Sequence, residues 1–262
     1  MILRPILISA FSRHHLLHFP NVVKQRPQRL RPVTIGAAAL AFSMAVGLVH
    51  LDSDTFRDQE TTVVDPATSI EFPTTLQIPS KGALPEFTLI GVGVRFVSFL
   101  RIKVYSAAFY ADLSNPNLKI PSSASPEEKV KYIVRNTACV LRIIPTRNTT
   151  YTHLRDGFVR ALEKRQWIAH QAGELSSDEQ LMLQAPMGQL RSAFPNAPLV
   201  KGTPLDLVLT PPDLKQPRAL IIRDLGAIQN GWVAQGLFLS FFDEQGNSAA
   251  LKQSVFDRVA QL

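Results

Sequence analysis

Cysteine is nearly absent from this sequence, and the standard catalytic motifs are missing. The one cysteine, Cys139, excludes an internal disulfide framework and any zinc or iron–sulfur site built mainly from cysteines. The segment GVGVR at 91–95 lacks the GxGxxG spacing of a dinucleotide-binding loop, and no Walker A, HExxH or GxSxG sequence occurs. The histidines do not have the spacing of a metal site. We therefore expect no metal and none of the enzyme classes that these motifs mark.

Acidic residues are absent from the first 51 positions, where six basic residues lie. The 262-residue chain has a net charge of +7, which alone is typical of a nucleic-acid-binding protein. The part after residue 51, however, carries 22 basic and 21 acidic residues. Because the excess positive charge is confined to the N-terminal segment, we expect no nucleic-acid partner.

Residues 1–31 have the composition of a mitochondrial presequence, since they contain arginine, leucine and serine but no acid. A secretory signal is the alternative. Its apolar core would lie close to the N-terminus, whereas the continuous apolar run here begins only at Val33. We therefore predict targeting to mitochondria.

Residues 32–51 are predicted to form a transmembrane helix. No charged side chain occurs between Val33 and Leu51, and this length is just sufficient for a hydrocarbon core of about 30 Å. A buried core helix is the alternative. Basic residues precede the segment and acidic residues follow it, which favours a span whose N-terminal side stays in the matrix. The sequence thus predicts an inner-membrane protein whose C-terminal domain faces the intermembrane space.

Residues 52–68 are polar and acidic, which is typical of a linker, and residues 69–262 are expected to form one folded domain. Hydrophobic periodicity and turn residues predict strands at 69–78, 87–96, 101–111, 138–146, 203–211 and 218–229. Helices are predicted after Ser125, over 149–171, after Ser177 with a break at Pro186, from Trp232, and at the C-terminus. This order indicates an α+β fold with an antiparallel sheet rather than repeated βαβ units.

Burial can be predicted for three parts of this domain. The hairpin of 87–111 is apolar on both faces, so we expect it at the centre of the sheet. Cys139 opens a strand and is expected to be a small buried apolar side chain. The predicted helix at 149–171 is amphipathic, and its apolar face consists of Tyr151, Leu154, Phe158, Leu162 and Ile168.

Arg95 is unusual because it lies within one of the most apolar stretches of the domain. With strict alternation it shares one face of its strand with Phe87, Leu89, Gly91 and Gly93. The two glycines are expected to leave space above the strand, and the nearest acids, Glu86 and Asp112, lie at the ends of the hairpin. Arg95 is either a structural residue paired with an internal acid or the anchor for an anionic ligand. The lack of a local acid favours the ligand.

Two tyrosines are candidates for the same site. Tyr105 is expected on the face of Arg95, opposite Gly91 or nearby, where its hydroxyl can bond the same ligand. Tyr151 begins the next predicted helix just past a strand end, and is expected to point into the same cavity.

Three segments resemble parts of the chalcone isomerase superfamily. LIGVGVRFVSFLRIKVYSAAFYAD at 89–112 is similar to its core hairpin, and LRIIPTRNTTYTHLRDGFVRAL at 141–162 is similar to its next strand and catalytic-tyrosine helix. NGWVAQGLFLSFFDEQGNSAALKQSV at 230–255 is similar to its C-terminal helix and tail. With the N-terminal presequence and span, the chain resembles the fungal mitochondrial members, the altered inheritance of mitochondria group. The resemblance implies an open-faced β-sandwich, in which a layer of helices covers an antiparallel sheet.

The resemblance assigns roles to four residues. In the isomerases of this superfamily an arginine orients the substrate phenolate, and Arg95 matches it. A helix tyrosine and a threonine hold a water on the substrate ketone; Tyr151 matches the tyrosine, but Tyr105 stands at the threonine position. Phe158 replaces an asparagine that binds the substrate ring. These replacements imply that chalcone cyclisation is absent or very weak, and the pair of Arg95 with a tyrosine resembles the fatty-acid-binding branch.

Three functions remain compatible with these residues. The first is a non-catalytic protein that binds an apolar ligand with an acidic head, namely a fatty acid or a haem, through Arg95, Tyr105, Tyr151 and Phe158. The second is an intramolecular lyase that uses Arg95 and Tyr151 on an unknown substrate. The third is an interaction or membrane-organising protein that keeps only the fold.

Haem is the one cofactor that the first of these functions allows, with Arg95 on a propionate. His153 and His170 lie on the predicted helix at 149–171. His153 is about 200° around that helix from Tyr151, so we expect it to point away from the cavity and to matter less than Arg95.

Overall fold

A computed structural model gives the structure of the chain and describes residues 61–80, 84–97, 100–244 and 246–262. The presequence predicted for 1–31 and the membrane span predicted for 32–51 lie outside the described residues. Within the described ranges, none of the helices combines the length and the apolar character that a membrane crossing requires.

The described residues form eleven strands and six helices. The strands are β1 (Thr62–Val64), β2 (Glu71–Pro73), β3 (Thr75–Leu76), β4 (Phe87–Val97), β5 (Ile102–Ala111), β6 (Cys139–Pro145), β7 (Thr149–Thr150), β8 (Pro198–Leu199), β9 (Leu205–Leu209), β10 (Leu220–Ile222) and β11 (Gly226–Ile228). The helices are α1 (Pro126–Asn136), α2 (Tyr151–Gln171), α3 (Ser177–Met182), α4 (Gln184–Ala193), α5 (Gly231–Leu239) and α6 (Ala249–Val259). Helices thus alternate with groups of strands rather than with single parallel strands, as the predicted α+β class requires.

Seven strands form one antiparallel sheet in the order β11-β10-β9-β6-β5-β4-β3. The predicted hairpin is β4 paired with β5. β5 lies inside the sheet between β4 and β6, but β4 pairs with β3 at only two positions, Thr88 and Phe87. The expectation of a central hairpin is therefore correct for β5, while β4 lies close to an edge of the sheet.

The two faces of the sheet are covered differently. The large buried apolar side chains of α1, α2, α4, α5 and α6 pack in one core against one face of the sheet. The N-terminal segment 70–78 packs on the other face, where Phe72 and Phe87 are fully buried. A helical layer on one face of an antiparallel sheet is the open-faced arrangement that the resemblance implies. Cys139 is fully buried, as predicted, and burial raises the pKa of its thiol to about 12.

The folded domain begins earlier than the predicted boundary at Ser69. β1 pairs with β2 in a two-stranded sheet. Asp65, which is 1% exposed, accepts hydrogen bonds from the Ser106 hydroxyl at 2.5 Å and from the Thr68 hydroxyl at 2.8 Å. Residues 61–68 therefore belong to the fold and are not part of a linker. The predicted single strand at 69–78 is two short strands, interrupted after Pro73.

Local signals for the helices are mostly correct. Ser125 caps α1 in a capping box, in which the Glu128 carboxylate accepts a hydrogen bond from the Ser125 backbone N–H. The cap of α3 is Ser176, one residue before the predicted Ser177, because Glu179 stands at the position that completes its capping box. The break falls at Leu183, and Pro186 lies in the first turn of α4, where a proline is tolerated.

Two strand predictions need correction. The region 218–229 is not one strand but the hairpin of β10 and β11, because Asp224 in the turn adopts a left-handed backbone conformation with φ of 64°. The strand predicted at 203–211 is limited to Leu205–Leu209.

Candidate functional site

Two adjoining cavities lie between the β4–β5 hairpin, α2 and the loop that precedes α6. The small cavity has a volume of about 150 Å³ and the large cavity about 630 Å³. Four residues line both, namely Arg95, Gly157, Arg160 and Asn247. These residues therefore mark the border at which the two cavities meet.

Arg95 reaches this border because irregular pairing in the hairpin sets its direction. A register shift between Leu89 and Gly91 leaves Ile90 as an extra residue in β4, and such a bulge reverses which face the following side chains occupy. Phe87 consequently packs in the core on the face away from the helices, whereas Arg95 faces the helical layer. The expectation that Phe87 and Leu89 share a face with Arg95 is wrong for this reason.

The guanidinium of Arg95 is held by neutral oxygens. Its Nη1 donates to the backbone oxygen of Asn247 at 2.7 Å and also to Asn247 Oδ1. Among the described residues, no carboxylate lies within ion-pair distance of Arg95. The alternative of a structural ion pair with an internal acid is therefore not what the structure shows.

Tyr105 lies directly opposite Arg95 in the β4–β5 pairing, rather than opposite Gly91. The centre of the guanidinium is 6.0 Å from the centroid of the Tyr105 ring. Burial raises the pKa of the Tyr105 phenol to about 12, although the nearby Arg95 charge opposes this rise. The hydroxyl therefore stays protonated at neutral pH and can donate a hydrogen bond to an anion beside Arg95.

The two glycines of β4 do not leave space for a ligand, contrary to expectation. A Cβ on Gly93 would lie 2.1 Å from the backbone nitrogen of Leu251, and a Cβ on Gly91 would lie 2.8 Å from Ser254 Oγ. The missing side chains instead let α6 pack directly on the strand. The cavities begin beyond Gly93, at Arg95.

Phe158 lines the small cavity, whereas Tyr151 lines neither cavity among the described residues. Phe158 is 2% exposed and its ring packs near those of Phe194 and Phe241. Tyr151 is half-buried against the main core at the start of α2. Of the two tyrosines expected beside Arg95, Tyr105 lines the small cavity with it and Tyr151 does not.

One face of α2 borders the cavities, and the sequence interpretation missed it. His153, Gly157 and Arg160 are spaced by four and three residues and all line the small cavity. The expectation that His153 points away from the site is therefore wrong. Ile168, predicted to be buried, is 48% exposed and lines the large cavity on the same face. A glycine in the middle of a long helix lowers helix stability. Gly157 was therefore the feature of the sequence that could have identified this face.

The two cavities differ in character. Apolar side chains of Val97, Val104, Leu154 and Phe158 line much of the small cavity, and none of its described lining residues is Asp or Glu. The large cavity is lined by charges of both signs, including the ion pair of Arg165 with Asp243. In the part of the chain that the structure describes, no group of three His, Cys, Asp or Glu side chains is placed to hold a metal. The site therefore combines an apolar pocket with a cationic border.

Comparison with known proteins identifies a family that matches this chain. A match to the family described as chalcone isomerase like covers residues 85–130 and 117–256. An uncharacterised protein of Schizosaccharomyces pombe is 33% identical over 128 residues, which is 42% of this chain and 46% of that protein. "Altered inheritance of mitochondria protein 18, mitochondrial" of Kluyveromyces lactis is 26% identical over 190 residues, which is 61% of this chain and 58% of that protein. The chain thus spans about half the length of the curated relatives it matches.

The fold also agrees with that of a solved structure. A fatty-acid binding protein of Arabidopsis thaliana matches with a TM-score of 0.55 and 18% identity, over 77% of this chain and 98% of that one. At this identity the likeness concerns the fold alone. Since the family match extends over most of the described sheet and helices, the chain belongs to the chalcone isomerase-like family.

Proposed function

We propose that the protein binds a small amphipathic anion and does not transform it. The observation that carries this proposal is the position of Arg95, whose charge has no carboxylate partner among the described residues and which borders both cavities. A buried or half-buried guanidinium without a counter-charge is unfavourable, so an anionic ligand stabilises it. Arg95 and the protonated Tyr105 then bind the head group together.

The shape of the small cavity supports a compact apolar group. Its volume of about 150 Å³ matches that of an apolar protein cavity that accepts a benzene molecule. A head group at Arg95 would place the apolar part against Val104, Leu154 and Phe158. The fold neighbour described as a fatty-acid binding protein supports a carboxylate with an apolar chain. A short-chain fatty acid meets both requirements.

A fatty acid fits these cavities better than haem. The small cavity contains a histidine, His153, in its lining. Its volume of about 150 Å³, however, is well below the 300–1,000 Å³ of typical sites for drug-sized ligands. The large cavity has sufficient volume, but none of its described lining residues is His, Cys, Met or Tyr, the side chains that ligate haem iron. The lining and the volumes of the two cavities therefore favour a fatty acid over haem.

The geometry gives less support to an isomerase. The resemblance assigns Tyr151 to the reacting ketone, yet Tyr151 lines neither cavity that contains Arg95. Phe158 occupies the position of the ring-binding asparagine, so a substrate hydroxyl there would lose a hydrogen bond, at a cost of about 1–3 kcal/mol. We expect no measurable conversion of a hydroxylated chalcone to a flavanone.

Mass spectrometry of molecules extracted from the purified protein tests the proposal. We expect a small organic anion in stoichiometric amount, absent from Arg95→Gln and retained in Arg147→Gln. Glutamine keeps an N–H donor for Asn247, and Arg147 is exposed and lies outside both cavities. A haem absorption band or turnover of the extracted molecule would contradict the proposal. Equal amounts of extracted anion in the two variants would favour an interaction protein that keeps only the fold.

A further inference from the structure

The small cavity offers more hydrogen-bond donors than a carboxylate can use. Donor side chains in its lining belong to Arg95, Tyr105, His153, Arg160 and Asn247. A carboxylate has two oxygens, and Arg95 together with Tyr105 already provides donors for both. A carboxylate has about four acceptor positions in all, so His153, Arg160 and Asn247 offer further donors that a larger oxyanion can use.

Arg160 supplies a second guanidinium at the border between the cavities. It forms no ion pair with any residue in the described ranges. Asp156, one helical turn earlier, pairs instead with Arg155 at 2.7 Å. Gly157 leaves open space beside it, since nothing lies within 4 Å of a Cβ placed there. The Arg160 guanidinium is thus available to an anion that already contacts Arg95.

Asn247 has one polar atom that is not satisfied. Its Oδ1 accepts a hydrogen bond from Arg95, which fixes the orientation of the amide. Its Nδ2 is buried and has no hydrogen-bond partner among the described residues. A buried donor without a partner is unfavourable, so a ligand oxygen at the border would stabilise this loop.

We propose that the preferred ligand is a phosphate monoester with a compact apolar group, rather than a carboxylate. This inference rests on the proposed function, because it uses the same border and the same small cavity. A phosphate monoester has three terminal oxygens and a charge of about −1.5 to −2 at pH 7. Two guanidiniums supply the opposite charge, and with the Tyr105 hydroxyl and the Asn247 amide they provide at least one donor for each of the three oxygens. The phosphate lies at the border, and the apolar group occupies the small cavity.

Three probes with the same ring distinguish the effect of head-group charge on binding from the effect of head-group shape. Phenyl phosphate, phenyl sulfate and benzoate each carry one ring, which suits a cavity of about 150 Å³. The sulfate also has three terminal oxygens but only one negative charge. We would titrate each into the full-length protein at pH 7.5, and into Arg160→Gln and Arg147→Gln. Arg160→Gln should fold, because Arg160 is exposed.

We expect phenyl phosphate to bind about tenfold more tightly than phenyl sulfate or benzoate. Arg160→Gln should remove most of this difference, because it weakens phenyl phosphate binding much more than benzoate binding, while Arg147→Gln changes neither. Equal affinities for the three probes, or an Arg160→Gln variant that keeps the phosphate preference, would overturn the inference and leave the proposed function intact. Failure of all three to bind the parent protein would overturn both.

Discussion

At the scale of single residues, the site depends on an arginine held by a neutral neighbour. Asn247 satisfies the geometry of Arg95 through two oxygens but provides no negative charge. A carboxylate in the same place would neutralise the guanidinium and remove the reason to bind an anion. Asn247 thus fixes the direction of Arg95 while keeping its charge available.

The ring of Phe158 sets the depth of the small cavity. Phe158→Ala should extend the cavity toward Phe194 and Phe241, shift binding from short to longer fatty acids, and cost about 3–5 kcal/mol of stability. Affinities for a series of fatty acids measure the shift. Phe256→Ala, a half-buried phenylalanine outside both cavities, is the control and should leave the preference unchanged. An unchanged preference in Phe158→Ala would contradict the assigned position of the apolar group.

The close contact of α6 with β4 depends on Gly93. Gly93→Ala should lower the free energy of unfolding by at least about 1–3 kcal/mol, because the new methyl group would overlap the backbone of Leu251. Gly188→Ala, within α4 and with nothing within 4 Å, should instead stabilise the protein by about 0.5–1 kcal/mol. Denaturant unfolding compares the two variants. A Gly93→Ala protein as stable as the parent would show that α6 does not pack on the strand in this way.

At the scale of elements, two register shifts in one hairpin decide which residues meet. The first leaves Ile90 as the extra residue in β4, and the second, between Arg95 and Phe96, leaves Val104 as the extra residue in β5. Together they place Arg95 opposite Tyr105 on the face toward the helices. A bulge has no clear signature in a continuous apolar run, so strict alternation was the natural and incorrect assumption.

The elements themselves were largely predictable from the sequence, but the composition of the site was not. Hydrophobic periodicity and caps such as Ser125 identify most helices and strands, and an arginine in an apolar strand identifies Arg95. Arg160 resembles any exposed cation on a helix, and Asn247 reaches Arg95 from 152 positions away in the chain. Contacts of that separation depend on tertiary packing, which no local pattern encodes.

The N-terminal segment is an integral element of the domain, and Asp65 connects it to β5. Asp65→Ala should lower the free energy of unfolding by about 1–3 kcal/mol, because it leaves the buried hydroxyl of Ser106 without its acceptor. Asp213→Ala, at an exposed position where the carboxylate accepts a hydrogen bond from the Lys215 backbone N–H, is the control and should have little effect. Equal stability of the two variants would indicate that residues 61–68 contribute nothing to the fold.

At the scale of the whole molecule, charge is divided between two parts of the chain. The basic residues before position 32 and the near-neutral domain after position 51 are the basis of the predicted mitochondrial address and membrane anchor. The Kluyveromyces lactis relative named above is described as mitochondrial. We propose the same compartment for this chain, with the domain in the intermembrane space.

Protease added to mitoplasts tests this topology. We expect digestion of the domain while matrix marker proteins remain intact, because the basic flank of the predicted span should stay in the matrix. Intact mitochondria should protect the domain and serve as the control. A domain that becomes sensitive only after detergent is added would reverse the proposed orientation.

The central claim is that Arg95 anchors the anionic head of a bound amphiphile. The most direct measurement is a calorimetric titration of hexanoate and of 1-hexanol, which differ in head-group charge, into the parent protein, Arg95→Gln and Arg147→Gln. We predict that Arg95→Gln weakens hexanoate binding about tenfold or more and leaves 1-hexanol binding unchanged, while Arg147→Gln alters neither. Equal losses for both probes in Arg95→Gln, or no loss for hexanoate, would contradict the claim.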